Sequence, residues 1–127
     1  MTGGAMRNAT VVVREPALLL TINQLYRPDM TALELYEATR GFWVVGARRE
    51  HAVLGLAVFQ GVVKEVYRIL AWHPAGTLAY QTRDPRPYRG SGRWEFEGEV
   101  AERERLAYVG LSVGKGGQNP VRYANVE

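Results

Sequence analysis

The chain has 127 residues, the size of one ordinary domain and enough for one real core. An apolar share of 46% and a charged share of 23% exclude a disordered chain, a collagen repeat and a coiled coil. With no cysteine, disulfides, thiol catalysis and cysteine-ligated metal centres are excluded as well.

The net charge is +3, carried by 14 arginines and only two lysines. Arginine suits phosphate forks and stacking on bases better than lysine does. The excess is local. Residues 61–94 hold six basic and two acidic side chains, with Arg83, Arg86, Arg89 and Arg93 opposed only by Asp84. Such a patch suits an anionic partner.

Residues 1–16 read as a flexible lead-in, with Gly3 and Gly4 loose and Pro16 closing it, though 11–13 could add an edge strand. No segment reaches the ~18–20 apolar residues of a membrane span. The start lacks the long apolar run of a signal peptide, so no membrane partner and a cytoplasmic location are expected.

Residues 17–23 (ALLLTIN) predict a buried strand. After a turn at 26–29, Thr31 and Glu34 fit a capping box, and a helix follows to about Thr39. Its buried side is expected to carry Leu33, Leu35, Tyr36 and Ala38, with Gly41 as the stop. Residues 42–46 predict a short strand, 48–51 a polar turn, and 53–59 a central strand apolar on both faces. Residues 61–72 predict a strand bulged near Lys64 and Glu65. Then comes a long loop, 73–92, rich in Pro, Gly and Arg; such loops are often functional. Along 93–100, Trp94, Phe96 and Val100 take one face, while Arg93, Glu95, Glu97 and Glu99 form a solvated one. A short helix over 101–108, a glycine-rich connector over 110–117 and a last strand over 120–126 complete the chain. Strands do not alternate with helices, so an α+β fold around a strongly bent sheet or small barrel is expected.

The two histidines, His51 and His73, lie too far apart for a paired metal site, and no metal or cofactor is expected. No nucleophile elbow is present, and 110–116 fails the spacing of a phosphate loop. The aromatic residues carry more. Trp43 and Trp72 lie at strand ends beside Arg40, Arg48 and His73, where an indole either closes the core or walls a slot for a flat ring. Trp94 is expected in the core. Asn23, Asn119 and Asn125 either offer donor–acceptor edges to a base or serve turns.

The segments Arg40-Gly-Phe-Trp43, Gly61-Val-Val-Lys-Glu-Val-Tyr67, Trp72 and Gln118-Asn-Pro-Val-Arg-Tyr123 together resemble an uncharacterised family of small bacterial proteins. That family is similar to the PUA-like superfamily of PUA, EVE, ASCH, YTH and SRA domains. The resemblance covers about residues 17–127 and implies a single PUA-like domain there. It implies a small, strongly bent, mixed β-barrel with one or two peripheral helices. It also implies a concave pocket that reads a modified or flipped nucleobase of DNA or RNA, in restriction, defence or RNA metabolism. By position, Trp43 and Trp72 become walls, Arg40 and Arg48 phosphate or base-edge contacts, and Asn23 a polar reader. Asn119 and Arg122 join them. Two further readings stand beside this one. A nucleoside-processing enzyme of ASCH type would use His51, Glu50 or Lys64 as acid or base. A homodimer would form through an edge strand at 93–100.

Overall fold

The computed structural model describes residues 9–126. Its centre is a parallel pair, β1 (Ala17–Thr21) and β2 (Leu54–Phe59), joined through helix α1 (Ala32–Arg40). Both strands are apolar almost throughout because both faces of the sheet are covered there. Ala17, Leu19, Leu54, Leu56 and Val58 pack on one face, with Val13 and Tyr108. Leu18, Leu20, Ile22 and Ala57 pack on the other, with Trp43, Leu35 and Tyr36.

Strands β3 (Val62–Pro74), β4 (Trp94–Val100) and β5 (Val121–Ala124) complete the sheet, and helix α2 (Glu102–Tyr108) follows β4. The order is β4-β3-β2-β1-β5, and every pair except β1–β2 is antiparallel. The fold is therefore α+β, with a five-stranded mixed sheet. It does not close into the expected barrel: β4 and β5 are its two ends. Part of the outer edge of β4 is taken. Trp43 and Trp94 exchange backbone hydrogen bonds of 2.9 and 2.8 Å, and Tyr36 Oη accepts from Gly98 N at 2.8 Å. These contacts also occupy part of the edge expected to join two copies.

Several local expectations hold. Thr31 Oγ1 accepts from Glu34 N (3.1 Å) and Glu34 Oε1 accepts from Thr31 N (2.9 Å), the reciprocal capping box. The β3 bulge falls on Lys64: Glu65 faces Ala57 and Val63 faces Val58, leaving Lys64 unpaired. Gln60 and Gly61, with φ of 51° and 81°, form the two-residue turn from β2 to β3, where positive φ at both positions matches the strand twist.

Others change. Residues 42–46 form only a single bridge, at Trp43, and Ala47–His51 is a short 3-10 helix. The buried face of α1 carries Glu37, Ala38, Thr39 and Arg40, while Leu33 is exposed. Glu95 is not on a solvated face but fully buried. Residues 1–8 of the expected lead-in lie outside the described residues. From Ala9 onward the chain is tied down: Val11 N donates to Ser112 O (2.8 Å), Val13 is buried, and Asn125 Nδ2 donates to the carbonyls of Val13 and Glu15. Among the described residues no helix is long and apolar enough to cross a membrane.

Candidate functional site

A cavity of about 470 Å³ opens beyond the end of β1. Four stretches of chain line it. Thr21 and Ile22 leave the sheet there, and Asn23, Gln24 and Leu25 turn over the opening. Gly41, Phe42 and Trp43, directly after α1, form the second wall, and Arg83 and Tyr88 from the loop before β4 form the third. Gln118 and Pro120, just before β5, complete the rim. Among the described residues the lining holds three aromatic rings, one cation, and no carboxylate, histidine or lysine.

The aromatic wall is tightly built. Tyr88 stacks on Phe42 with centroids 4.4 Å apart and rings 20° from parallel. The Arg83 guanidinium lies 4.3 Å from the Phe42 centroid. Phe42 therefore has both an aromatic ring and a cation in direct contact with it. Gly41 lets the chain after α1 pass close to β4 and Tyr80, since a Cβ there would stand 3.1 Å from both Glu95 Cβ and Tyr80 Oη.

Two buried carboxylates hold the loop that carries Arg83 and Tyr88. Glu95, from β4, accepts from Gly76 N (3.0 Å), Leu78 N (2.6 Å) and Tyr80 Oη (2.7 Å). Glu37, from α1, accepts from Gln81 N, from Thr82 N and from Thr82 Oγ1, the last two at 2.7 Å. Burial pushes the Glu37 carboxyl up, but the bonds from Thr82 and Gln81 more than offset this and leave it below the usual carboxylate value. Arg83 Nη1 donates to Glu37 O (2.8 Å) and Gly41 O, which ties the loop back to the end of α1. Burial lowers the Arg83 pKa.

A second hollow, of about 600 Å³, lies on the outer side of this loop. It is lined by residues 78–86 and Arg89, and Arg83 borders both cavities. Tyr80 is its one ring, so it offers no walls for a flat ligand. Asp84 there is bound bidentately by Arg86 (2.9 and 3.0 Å), which holds its pKa at about 2. Among the described residues no group of three or more His, Asp or Glu side chains could hold a metal ion.

Of the residues predicted from sequence, Asn23 and Trp43 line the 470 Å³ cavity, and Asn119 stands between two that do. Trp43 is also core: it is 8% exposed, and its Nε1 donates to Thr39 O at 2.7 Å. Asn23 Oδ1 accepts from Gln60 N (3.0 Å), and Asn119 Oδ1 accepts from Val121 N (2.9 Å), so both amide oxygens serve turns.

The other four lie elsewhere. Arg40 is 7% exposed, 4.1 Å from the Tyr80 ring centroid, and donates to Ala79 O, so no phosphate reaches it. Arg48 lies over the Tyr123 ring at 4.1 Å. Trp72 packs edge-on to Phe96 and donates from Nε1 to Arg49 O (3.1 Å). Arg122 ties down the carbonyls of Val113 and Gly114.

Phe42, Arg83, Tyr88, Gln24 and Gln118 were not singled out as site residues from sequence. Signals for three of them were present. Phe42 sits inside Arg40-Gly-Phe-Trp43, Arg83 in the arginine-rich loop, and Gln118 in Gln-Asn-Pro. The acid and base candidates His51, Glu50 and Lys64 are all absent from the lining, and Lys64 lies 5.2 Å from the Tyr26 ring centroid.

No protein-family model, no curated protein and no solved structure matches this chain.

Proposed function

We propose that this chain is a PUA-like module that binds a nucleobase of DNA or RNA, modified or flipped out of its stack, in the cavity lined in part by Trp43, Phe42 and Tyr88. One observation carries this reading. The cavity has the volume of a small-molecule site, ~300–1,000 Å³, and combines ring walls with a single cation and uncharged amides. That lining suits a flat, polar-edged, uncharged or anionic heterocycle. The exposed Arg89 on the same loop, which forms no ion pair among the described residues, suits a phosphate backbone passing outside the cavity. Extruding a base costs about a few kcal/mol, least where pairing is already weak.

An enzyme of ASCH type has less support. General acid–base chemistry needs a titrating group within reach of the bound substrate, and among the described residues neither a carboxylate nor a histidine or lysine lines the cavity.

The test is a tryptophan fluorescence titration with oligonucleotides carrying different base modifications at two salt concentrations. Trp43→Ala is a poor probe, because cutting a buried indole costs about 3–5 kcal/mol of stability. Tyr88→Ala is the better one, since Tyr88 is only half-buried. It should keep the fold and weaken binding by ~1–3 kcal/mol, and wild-type affinity should fall as salt rises. Wild-type protein that binds no oligonucleotide at low salt would end this reading.

A further inference from the structure

We infer that Arg83 reads the edge of the ligand: the cavity selects a ring that presents two adjacent hydrogen-bond acceptors, as O6 and N7 of guanine and hypoxanthine do. This rests on the base-binding reading above and names the substrate class of that site.

A guanidinium carries five N–H donors in a fixed plane. Both donors of Arg83 Nη1 are used, on the carbonyls of Glu37 and Gly41. Nε and Nη2 have no hydrogen-bond partner among the described residues, and neither is sealed inside the protein without a partner, as the Nε atoms of Arg40 and Arg122 are. Nε and Nη2 share one edge of the guanidinium and form its parallel fork, the geometry that accepts a bidentate ligand.

The fork is held in place before any ligand arrives. The Nη1 bonds fix one side of the group, and contact with Phe42 at 4.3 Å fixes its position over the ring. The preceding residues, Gln81 and Thr82, are pinned by Glu37. The neighbouring carboxylate, Asp84, is committed to Arg86, and Arg83 forms no ion pair among the described residues. An unpaired cationic fork therefore belongs to a residue that borders the cavity, while the nearest carboxylate, Glu37, is occupied by Gln81 and Thr82.

A compact tetrahedral anion could also take two donors, but it would leave the apolar lining of Ile22, Leu25, Trp43 and Pro120 uncovered. A flat ring covers that lining while its edge meets the fork. Adenine places an amino donor beside N7, so its N6 hydrogens would oppose those of the fork.

The probes are thymidine oligonucleotides carrying one central guanine, hypoxanthine, 7-deazaguanine or adenine, titrated against wild-type protein and Arg83→Lys. For wild type, guanine and hypoxanthine should bind alike. Adenine and 7-deazaguanine, which lacks the N7 acceptor, should bind about 5- to 150-fold more weakly. Arg83→Lys keeps the charge, loses the fork, and should flatten these ratios.

Equal wild-type affinity for all four would overturn the inference and leave the base pocket standing. Discrimination that survives unchanged in Arg83→Lys would also overturn it. If none of the four binds, the base-binding reading falls and this inference falls with it. The comparison with 7-deazaguanine needs no variant, so a Lys variant that fails to fold still leaves the inference exposed to refutation.

Discussion

The centre of the sheet and the loop before β4 are both held in place, but by different means. In β1 and β2, Leu18, Leu20, Leu54 and Leu56 are fully buried among other apolar side chains. Between Ala75 and Arg83 the loop instead hangs on Glu95 and Glu37, each accepting from several donors. Apolar burial is proportional to area and indifferent to direction. A carboxylate is directional, since each oxygen sets where an amide must stand. The sheet therefore supplies stability, and the two carboxylates supply position for Arg83 and Tyr88. Damage to the first should lower global stability, whereas damage to the second should release one wall of the cavity.

The largest expected effect tests the sheet side. Leu56→Ala removes a fully buried side chain at the middle of β2 and should cost about 2–5 kcal/mol in urea denaturation. At temperatures well below melting, its ligand affinity should match wild type. A variant that is destabilised and also loses affinity in proportion would break the division of labour.

Glu95→Gln tests the other side. The amide keeps one acceptor oxygen, so at least one of the donors Gly76 N, Leu78 N and Tyr80 Oη is left facing an NH₂ group. An unmatched buried donor costs about 1–3 kcal/mol. Hydrogen exchange at Gly76 and Leu78 should rise more than at Leu18 or Leu56, and affinity should fall more than in Leu56→Ala. Uniform acceleration across the whole chain would mean that Glu95 supports the core as a whole and not the loop.

The same contrast explains what could be seen in the sequence. The buried runs of β1 and β2, the Thr31–Glu34 cap and the Lys64 bulge were legible because apolar periodicity and capping chemistry are local signals. The strand over 93–100 was legible too, but its alternation put Glu95 outside with Glu97 and Glu99. Alternation cannot register that a loop 15 to 19 residues away supplies three donors to that one carboxylate. Glu37 and Arg40 were hidden for the same reason: partners at sequence separations of 39 to 45 decide that these charges are buried. The open sheet was missed because the edge of β4 is closed by one residue, Trp43, and one tyrosine hydroxyl, not by a strand. Within the candidate site, the aromatic stretch after α1 was visible, whereas the meeting of Phe42 with Tyr88 and Arg83 depends on how the loop is anchored.

The smallest effect is a pH dependence that isolates the Glu37 anchor. Its ordinary value is 4.5, and in the folded protein it lies below that. A group whose folded pKa is depressed contributes stability above its unfolded pKa and loses it as pH falls through the folded one. The Glu37 contribution should therefore be complete at pH 6, begin to fade as pH drops past 4.5, and vanish once the folded carboxyl takes its proton. Arg40 and Arg83, which lie close by, stay charged throughout and add no slope. Comparing urea midpoints of wild type and Glu37→Gln from pH 6 to about pH 3 isolates this group, because other carboxylates titrate alike in both proteins. The gap between the two should narrow with acid, and exchange at Gln81 and Thr82 in wild type should approach that of the variant. A gap that stays constant across the whole range would mean that Glu37 holds the loop equally well with its proton on, and that the anchor owes nothing to its charge.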